Sequence, residues 1–253
     1  ALARLKEKAA PAVPKLRATL KAEDLWLRIK AADALAAIGD AARPAVPDLL
    51  KMLAREPGPE DPRGMEQRYL TFALFNKNGL LGDSLEGGAR DLPEAAVHAG
   101  LRNQDGRARL AFARVFENLP PGELEELLPE VHYAVVNPAP SGIMFADGIR
   151  IEGLKILGEW KVAEGISACM FYLKNQNHWA SEKRTPKLLE ILRSYGAHAK
   201  HTIPQLEKLA DNFAAGKPSY FPEHLSQRKA KDVRETIAFL KATEERPKLI
   251  SIR

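Results

Sequence analysis

Cysteine is almost missing from this chain of 253 residues: Cys169 stands alone, so no internal disulfide can form. It lies in the apolar run Ile166-Ser167-Ala168-Cys169-Met170-Phe171-Tyr172-Leu173, which reads as a buried thiol; a reactive one would want exposure and a nearby cation. One free thiol suits a reducing compartment and equally a cysteine-poor exported protein, so the compartment stays open. No run of about 18 apolar residues exists, which excludes a membrane-spanning helix and membrane insertion through one. No signal-peptide pattern is visible. Aromatic residues are sparse at 7%. Alternating strand patterns and coiled-coil heptads are missing too, so β content is expected near zero.

The motifs of common chemistries are equally scarce. Gly79-x-x-Gly82 and Gly87-Gly88 lack the lysine and the preceding strand of a phosphate loop. No Gly-x-Ser-x-Gly elbow occurs, and Ser141-Gly142 has no base defined by sequence. Carboxylate pairs such as Glu125-Glu126 and Glu244-Glu245 sit on polar stretches, whereas acid–base work needs two carboxylates facing across a pocket. His198-x-x-His201 places two imidazoles about one turn apart, but a third zinc ligand would have to come from elsewhere; both read as linker histidines. No catalytic residue, cofactor or metal site is therefore assigned.

What is present is repetition. Ala10-Pro11-Ala12-Val13-Pro14-Lys15-Leu16 returns as Arg43-Pro44-Ala45-Val46-Pro47-Asp48-Leu49, so Ala-Val-Pro recurs between positions 12–14 and 45–47. A fixed offset in this range signals units that cannot bury their apolar faces alone and must stack on neighbours. Between the copies, Ala31, Leu35 and Ile38 fall on one helical stripe, with Asp24 as N-cap and Gly39 as stop. Pro44 and Pro47 stand in a first turn, where a missing N–H costs nothing.

The same periodicity resolves the chain into six helix pairs: roughly 10–21 with 24–38, 44–54 with 65–77, 92–102 with 105–118, 122–136 with 147–160, 162–174 with 181–195, and 201–213 with 226–243. Residues 2–8 read as the tail of a preceding helix, and the chain as one solenoid domain, 1–253, from a longer multidomain protein. The expected fold is all-α, an α-solenoid or armadillo-like superhelix with essentially no β.

Asp24-x-x-x-Arg28-x-x-Ala31-Ala32-x-Ala34-Leu35-x-x-Ile38-Gly39-x-x-Ala42-x-x-Ala45-Val46-Pro47-x-Leu49 resembles a HEAT repeat of the bacterial phycobilisome-lyase-like type. The likeness is strong over residues 10–53. It returns in Tyr195-Gly196-x-x-Ala199-x-x-Thr202-Ile203-Pro204-x-Leu206, and insertions break it over 65–137. Asp105-x-x-x-Arg109 repeats the spacing of Asp24 and Arg28, and Asp147 and Arg150 sit one residue closer. The resemblance implies that these six form a structural ladder between neighbouring repeats. It also implies a concave surface lined by the second helix of each pair, here through Lys30, Arg68, Arg114, Lys155 and Arg184.

The loops depart most from the pattern. Residues 56–64, 76–88, 137–148 and 216–224 are rich in Pro and Gly, and insertions in repeat arrays often serve binding. Met144, Phe145, Tyr220 and Phe221 either tuck back onto the core or anchor a partner. Asn177-His178-Trp179-Ala180-Ser181-Glu182-Lys183-Arg184 sets an indole beside Lys183 and Arg184, a composition found at binding hot spots. Trp179 either meets a partner there or caps the core, as Trp26 and Trp160 are expected to.

Charge is unevenly spread. Residues 1–126 hold 19 Lys/Arg and 19 Asp/Glu, while residues 127–253 hold 19 and 14, so the whole +5 excess lies in the second half. Such an excess marks an anionic partner or simply a solvated, lysine-rich face. Two functions follow. The first is a non-enzymatic scaffold that presents its concave helical surface to a protein partner or to other domains of its parent chain. The second is nucleic-acid binding, since in size, repeat number and basic pI the chain resembles HEAT-like alkylpurine DNA glycosylases, although none of their catalytic residues can be matched here.

Overall fold

The computed structural model describes residues 2–82, 92–113, 121–140, 145–177 and 180–252. They are all-helical. The α-helices are α1 (Leu2–Leu5), α2 (Val13–Thr19), α3 (Leu25–Ile38), α4 (Val46–Leu53), α5 (Met65–Phe75), α6 (Glu94–Leu101), α7 (Gly106–Ala113), α8 (Pro121–Val136), α9 (Ala146–Glu159), α10 (Ala163–Lys174), α11 (Ser181–Arg193), α12 (Ile203–Ala214) and α13 (Glu223–Ala242). Among the described residues there is no strand; one isolated parallel bridge joins Val162 to Ile250. No helix among them is long and apolar enough to cross a membrane.

The repeated phrase folds the same way at each occurrence. The 3-10 turns Lys6–Ala12, Asp40–Ala45 and Gly196–Thr202 each run into a helix whose second residue is proline. The junction residues Ala12, Ala45 and Thr202 have φ/ψ of −84/−7, −86/−11 and −82/−11°. Proline fits because its fixed φ suits a first turn and its missing N–H would be unpaired there. Ala9, Ala42 and Ala199, three residues before each junction, are buried, as are Leu16, Leu49 and Leu206 beyond it. Each buried leucine contributes about 1.5–3 kcal/mol.

The N-terminal segment differs from a continuous helix tail. It makes one turn, Leu2–Leu5, and Lys6 at φ +48° then breaks it into the 3-10 turn. The side chain of a non-glycine residue crowds the backbone in that conformation, so the helix cannot continue through it.

The chain divides into two compact units, Ala1–Ile149 and Arg150–Arg253. In the first, α3 packs on α5 and α5 on α7, while α4 packs on α6 and α6 on α8, which gives two layers built from alternate helices. The stripe Ala31, Leu35 and Ile38 of α3 is fully buried between them. The second helices begin at carboxylate caps. Asp24 accepts from Leu27 N at 2.6 Å, Asp61 from Met65 N and Glu66 N at 2.7 and 2.8 Å, and Asp105 from Arg107 N and Ala108 N at 3.0 and 3.1 Å. Gly39, at φ +78°, ends α3.

In the second unit α10 packs on α11, α11 on α13, and α12 on α13. An extended tail, 244–252, then runs back over two turns. Ala197 N donates to Glu245 O at 2.7 Å, Ala163 N to Ile250 O at 2.8 Å, and Ile250 N to Lys161 O at 3.0 Å. His198 Nε2 meets Pro247 O at 2.9 Å, and Ser251 Oγ donates to Glu164 at 3.0 Å. Gly196, at φ +56°, makes room for this tail: a Cβ there would run into the Glu245 carbonyl oxygen.

Candidate functional site

Of the six expected ladder positions, Arg28 and Asp105 pair with side chains of another helix, through partners the spacing alone does not reveal. Asp24 stays on its own helix as a cap. Arg28 crosses from α3 to α5, where it pairs with Glu66, and its Nη1 also donates to the carbonyls of Ala22 and Glu23 at 2.9 and 2.8 Å. Asp105 faces Arg68 of α5 at 3.5 Å. Arg109 is buried and donates to the carbonyls of Asn103, Asn137 and Arg102; burial lowers its pKa. Asp147 is half-buried at the start of α9, and Arg150 lies over the Tyr172 ring at 5.2 Å.

Of the residues expected on binding loops, Met144 and Trp179 lie outside the described residues, as does Arg114 of the expected concave lining. Phe145 is half-buried and Lys183 is exposed. Arg184 corrects the expectation of a surface cation. It is 8% exposed, and its guanidinium donates inward to Tyr172 OH at 2.8 Å and Asn177 Oδ1 at 2.9 Å. Phe221 is likewise not a surface anchor: it is buried edge-on against Phe213, centroids 6.0 Å apart. Tyr220 keeps 51% of its surface exposed, but its hydroxyl donates to Gln176 O at 2.6 Å and ties the loop down.

Behind these rings sits Lys229, a buried lysine that the sequence reading missed. It is 1% exposed, with Nζ donating to Thr185 Oγ1 and Ser181 O and lying 4.4 Å over Phe221 and 5.4 Å over Phe213. Burial, reinforced by Arg184, brings its pKa down to about 8. Its place three residues after Ser226 on the buried face of α13 is the only signal that could have flagged it.

Exposed Trp26, Lys30 and Arg107 come together with half-buried Arg68, Tyr69 and Phe72 elsewhere, on the solvent-facing side of α3, α5 and α7. Trp26 is 50% exposed rather than capping the core. Its ring meets Tyr69 edge-on at 6.2 Å, and Tyr69 meets Phe72 at 6.4 Å. Lys30 Nζ lies 5.9 Å over Tyr69, Arg68 lies 5.7 and 5.9 Å over Tyr69 and Phe72, and Arg107 lies 5.5 Å over Phe72. Each such pair is worth about 0.5–1 kcal/mol at an exposed site. Together they hold three cations and three rings in one strip across the three alternate helices of this layer. Trp26 and Lys30 lie one turn apart on α3, and Tyr69 and Phe72 three residues apart on α5, so helical spacing puts each pair on one face. Glu60, an exposed carboxylate 3.7 Å from Arg28, marks the edge of this region.

The Cys169 thiol is buried, pushed up to about 12 by that burial, and donates to Leu188 O at 3.2 Å. Among the described residues no group of three His, Cys, Asp or Glu side chains is placed to hold a metal ion. Compared with known proteins, the chain matches no family model, no curated protein and no solved structure.

Proposed function

We propose that this protein is a non-enzymatic scaffold, an α-solenoid of HEAT-like helix pairs that binds a protein partner on the solvent-facing side of α3, α5 and α7. The observation that carries this reading is the strip of Trp26, Lys30, Arg68, Tyr69, Phe72 and Arg107. Trp, Tyr and Arg dominate the energetics of protein interfaces, and here they are held in place by one another before any partner arrives. The solenoid is supported by the recurring junction geometry and by the layering of alternate helices in the first unit.

The test is capture of partners from a native extract by the wild-type chain and by Trp26→Ala/Arg107→Ala. Lys231→Ala, a change at an exposed cation on α13, serves as control. The strip variant should lose the partners that the wild type and the control retain. Equal capture by all three would defeat the reading.

The +5 net charge supports a second reading, nucleic-acid binding. Such binding would weaken steeply with salt. Against it, Tyr69 and Phe72 each carry two of the protein's own cations over their rings, which leaves less ring face for bases to stack on. Absence of duplex and single-strand binding at low salt would remove it.

A further inference from the structure

The scaffold reading says where a partner sits; the placement of charge within the strip says what kind of segment it is. In both ion pairs made by the strip's own cations the carboxylate is the recessed member. Lys30 is 66% exposed against 34% for Asp33, its partner at 3.1 Å, and Arg68 is 31% exposed against 10% for Asp105. The cations therefore stand forward and their counter-charges lie beneath them. Arg107 goes further. It is exposed, lies over Phe72, and has no carboxylate within ion-pair distance among the described residues. A guanidinium held over a ring keeps its N–H edge free for a carboxylate, and a bidentate Arg–carboxylate pair is among the stronger polar contacts available. Beside these cations stand two half-exposed apolar side chains of α3, Trp26 and Leu27.

Resting on the scaffold reading, we propose that the strip takes an extended acidic peptide segment, with carboxylates at Lys30, Arg68 and Arg107 and one apolar side chain against Trp26 and Leu27. Nothing in this arrangement needs the segment to be helical. A row of cations crossing three helices matches a chain laid across them rather than along one. Recessed Asp33 and Asp105 hold the cations upright and lower the net field, so the strip attracts a mixed acidic and apolar segment more than a bare polyanion.

Fluorescence anisotropy decides this with the intact chain and three labelled probes: a peptide repeating Glu-Asp-Leu, its Lys-Arg-Leu counterpart, and an oligothymidylate. The acidic peptide should bind, with affinity falling several-fold between about 50 and 300 mM salt, and the basic peptide should not. Arg107→Glu, a change at an exposed side chain, should weaken the acidic peptide about tenfold, equivalent to about 1.4 kcal/mol. Asp33→Asn frees Lys30 from its counter-charge and should tighten binding a few-fold. Equal binding of acidic and basic peptides, or an affinity untouched by both variants, would overturn the proposal. Failure of the acidic peptide while partner capture still depends on Trp26 and Arg107 would sink this inference and leave the scaffold reading standing. Binding of the oligothymidylate alone would sink both.

Discussion

Two clusters among the described residues set cations over a pair of neighbouring rings, and they do opposite things with them. In the second unit Lys229 is sealed beneath Phe213 and Phe221, with Thr185 Oγ1 and Ser181 O accepting its hydrogen bonds. In the first, Lys30, Arg68 and Arg107 stand over Tyr69 and Phe72 at the surface. The contact is similar in distance; the solvent is not. A buried ammonium without a carboxylate costs stability and is tolerated because neutral oxygens and ring faces surround it, so it organises a loop. An exposed cation costs little and keeps its outer N–H groups available. Burial, rather than the presence of Trp, Arg or Lys, separates a structural cluster from one fit to bind.

The largest effect that sharpens the contrast is expected at Phe221. Phe221→Ala empties a buried position and should cost about 3–5 kcal/mol, read as a large drop in melting temperature. An unchanged melt would mean the ring is a surface group after all. Gly196→Ala comes next. The positive φ alone costs about 1–2 kcal/mol for a residue with a Cβ, and the collision with Glu245 lifts the tail. Residues 245–250 should lose hydrogen-exchange protection in that variant, whereas retained protection would show that the tail does not depend on this turn.

Lys229 gives a pH signature. Its folded pKa of about 8 lies below the ordinary 10.5, so between those values the unfolded chain holds a proton that the folded chain has released. Stability from this group therefore rises with pH across that window. Cys169 opposes it: with its thiol pushed up to about 12 from 9.0, the unfolded chain loses that proton first and stability falls above about pH 9. Lys229→Met keeps the second effect and loses the first. The melting temperature of the wild type should thus gain on that of Lys229→Met between about pH 8 and pH 10. Parallel curves would show that the lysine is not held out of water. The smallest stability effect belongs to the strip, where Trp26→Ala should cost about 1 kcal/mol or less. A loss comparable to that of Phe221→Ala would erase the distinction drawn between the two clusters.

Much of the helical framework was legible from residues. Ala-Val-Pro and Thr-Ile-Pro marked three junctions because small residues and first-turn prolines meet a local requirement that leaves little choice. The helices on either side followed from the 3.6-residue period. The sites were harder. Trp26 stands in the first turn of α3 beside apolar residues, and periodicity does not say which flank of a stripe a neighbouring helix will cover. Arg184, adjacent to Lys183, reads as half of a surface pair; a helix turns about 100° per residue, and that rotation carries Arg184 inside while Lys183 stays in water. The ladder suffered similarly. Arg28 finds Glu66 and Asp105 finds Arg68, partners 38 and 37 positions away that the Asp-to-Arg spacing within one repeat does not announce.

The most direct test places a photo-reactive benzophenone side chain at Trp26 in one protein and at Tyr220 in another, then irradiates each in native extract. The two positions are equally exposed, at 50% and 51%, so accessibility does not bias the result. Protein adducts at position 26 and none at 220 are the predicted outcome. Adducts confined to position 220, or adducts to nucleic acid at 26, would contradict the assignment of α3, α5 and α7 as a protein-binding face.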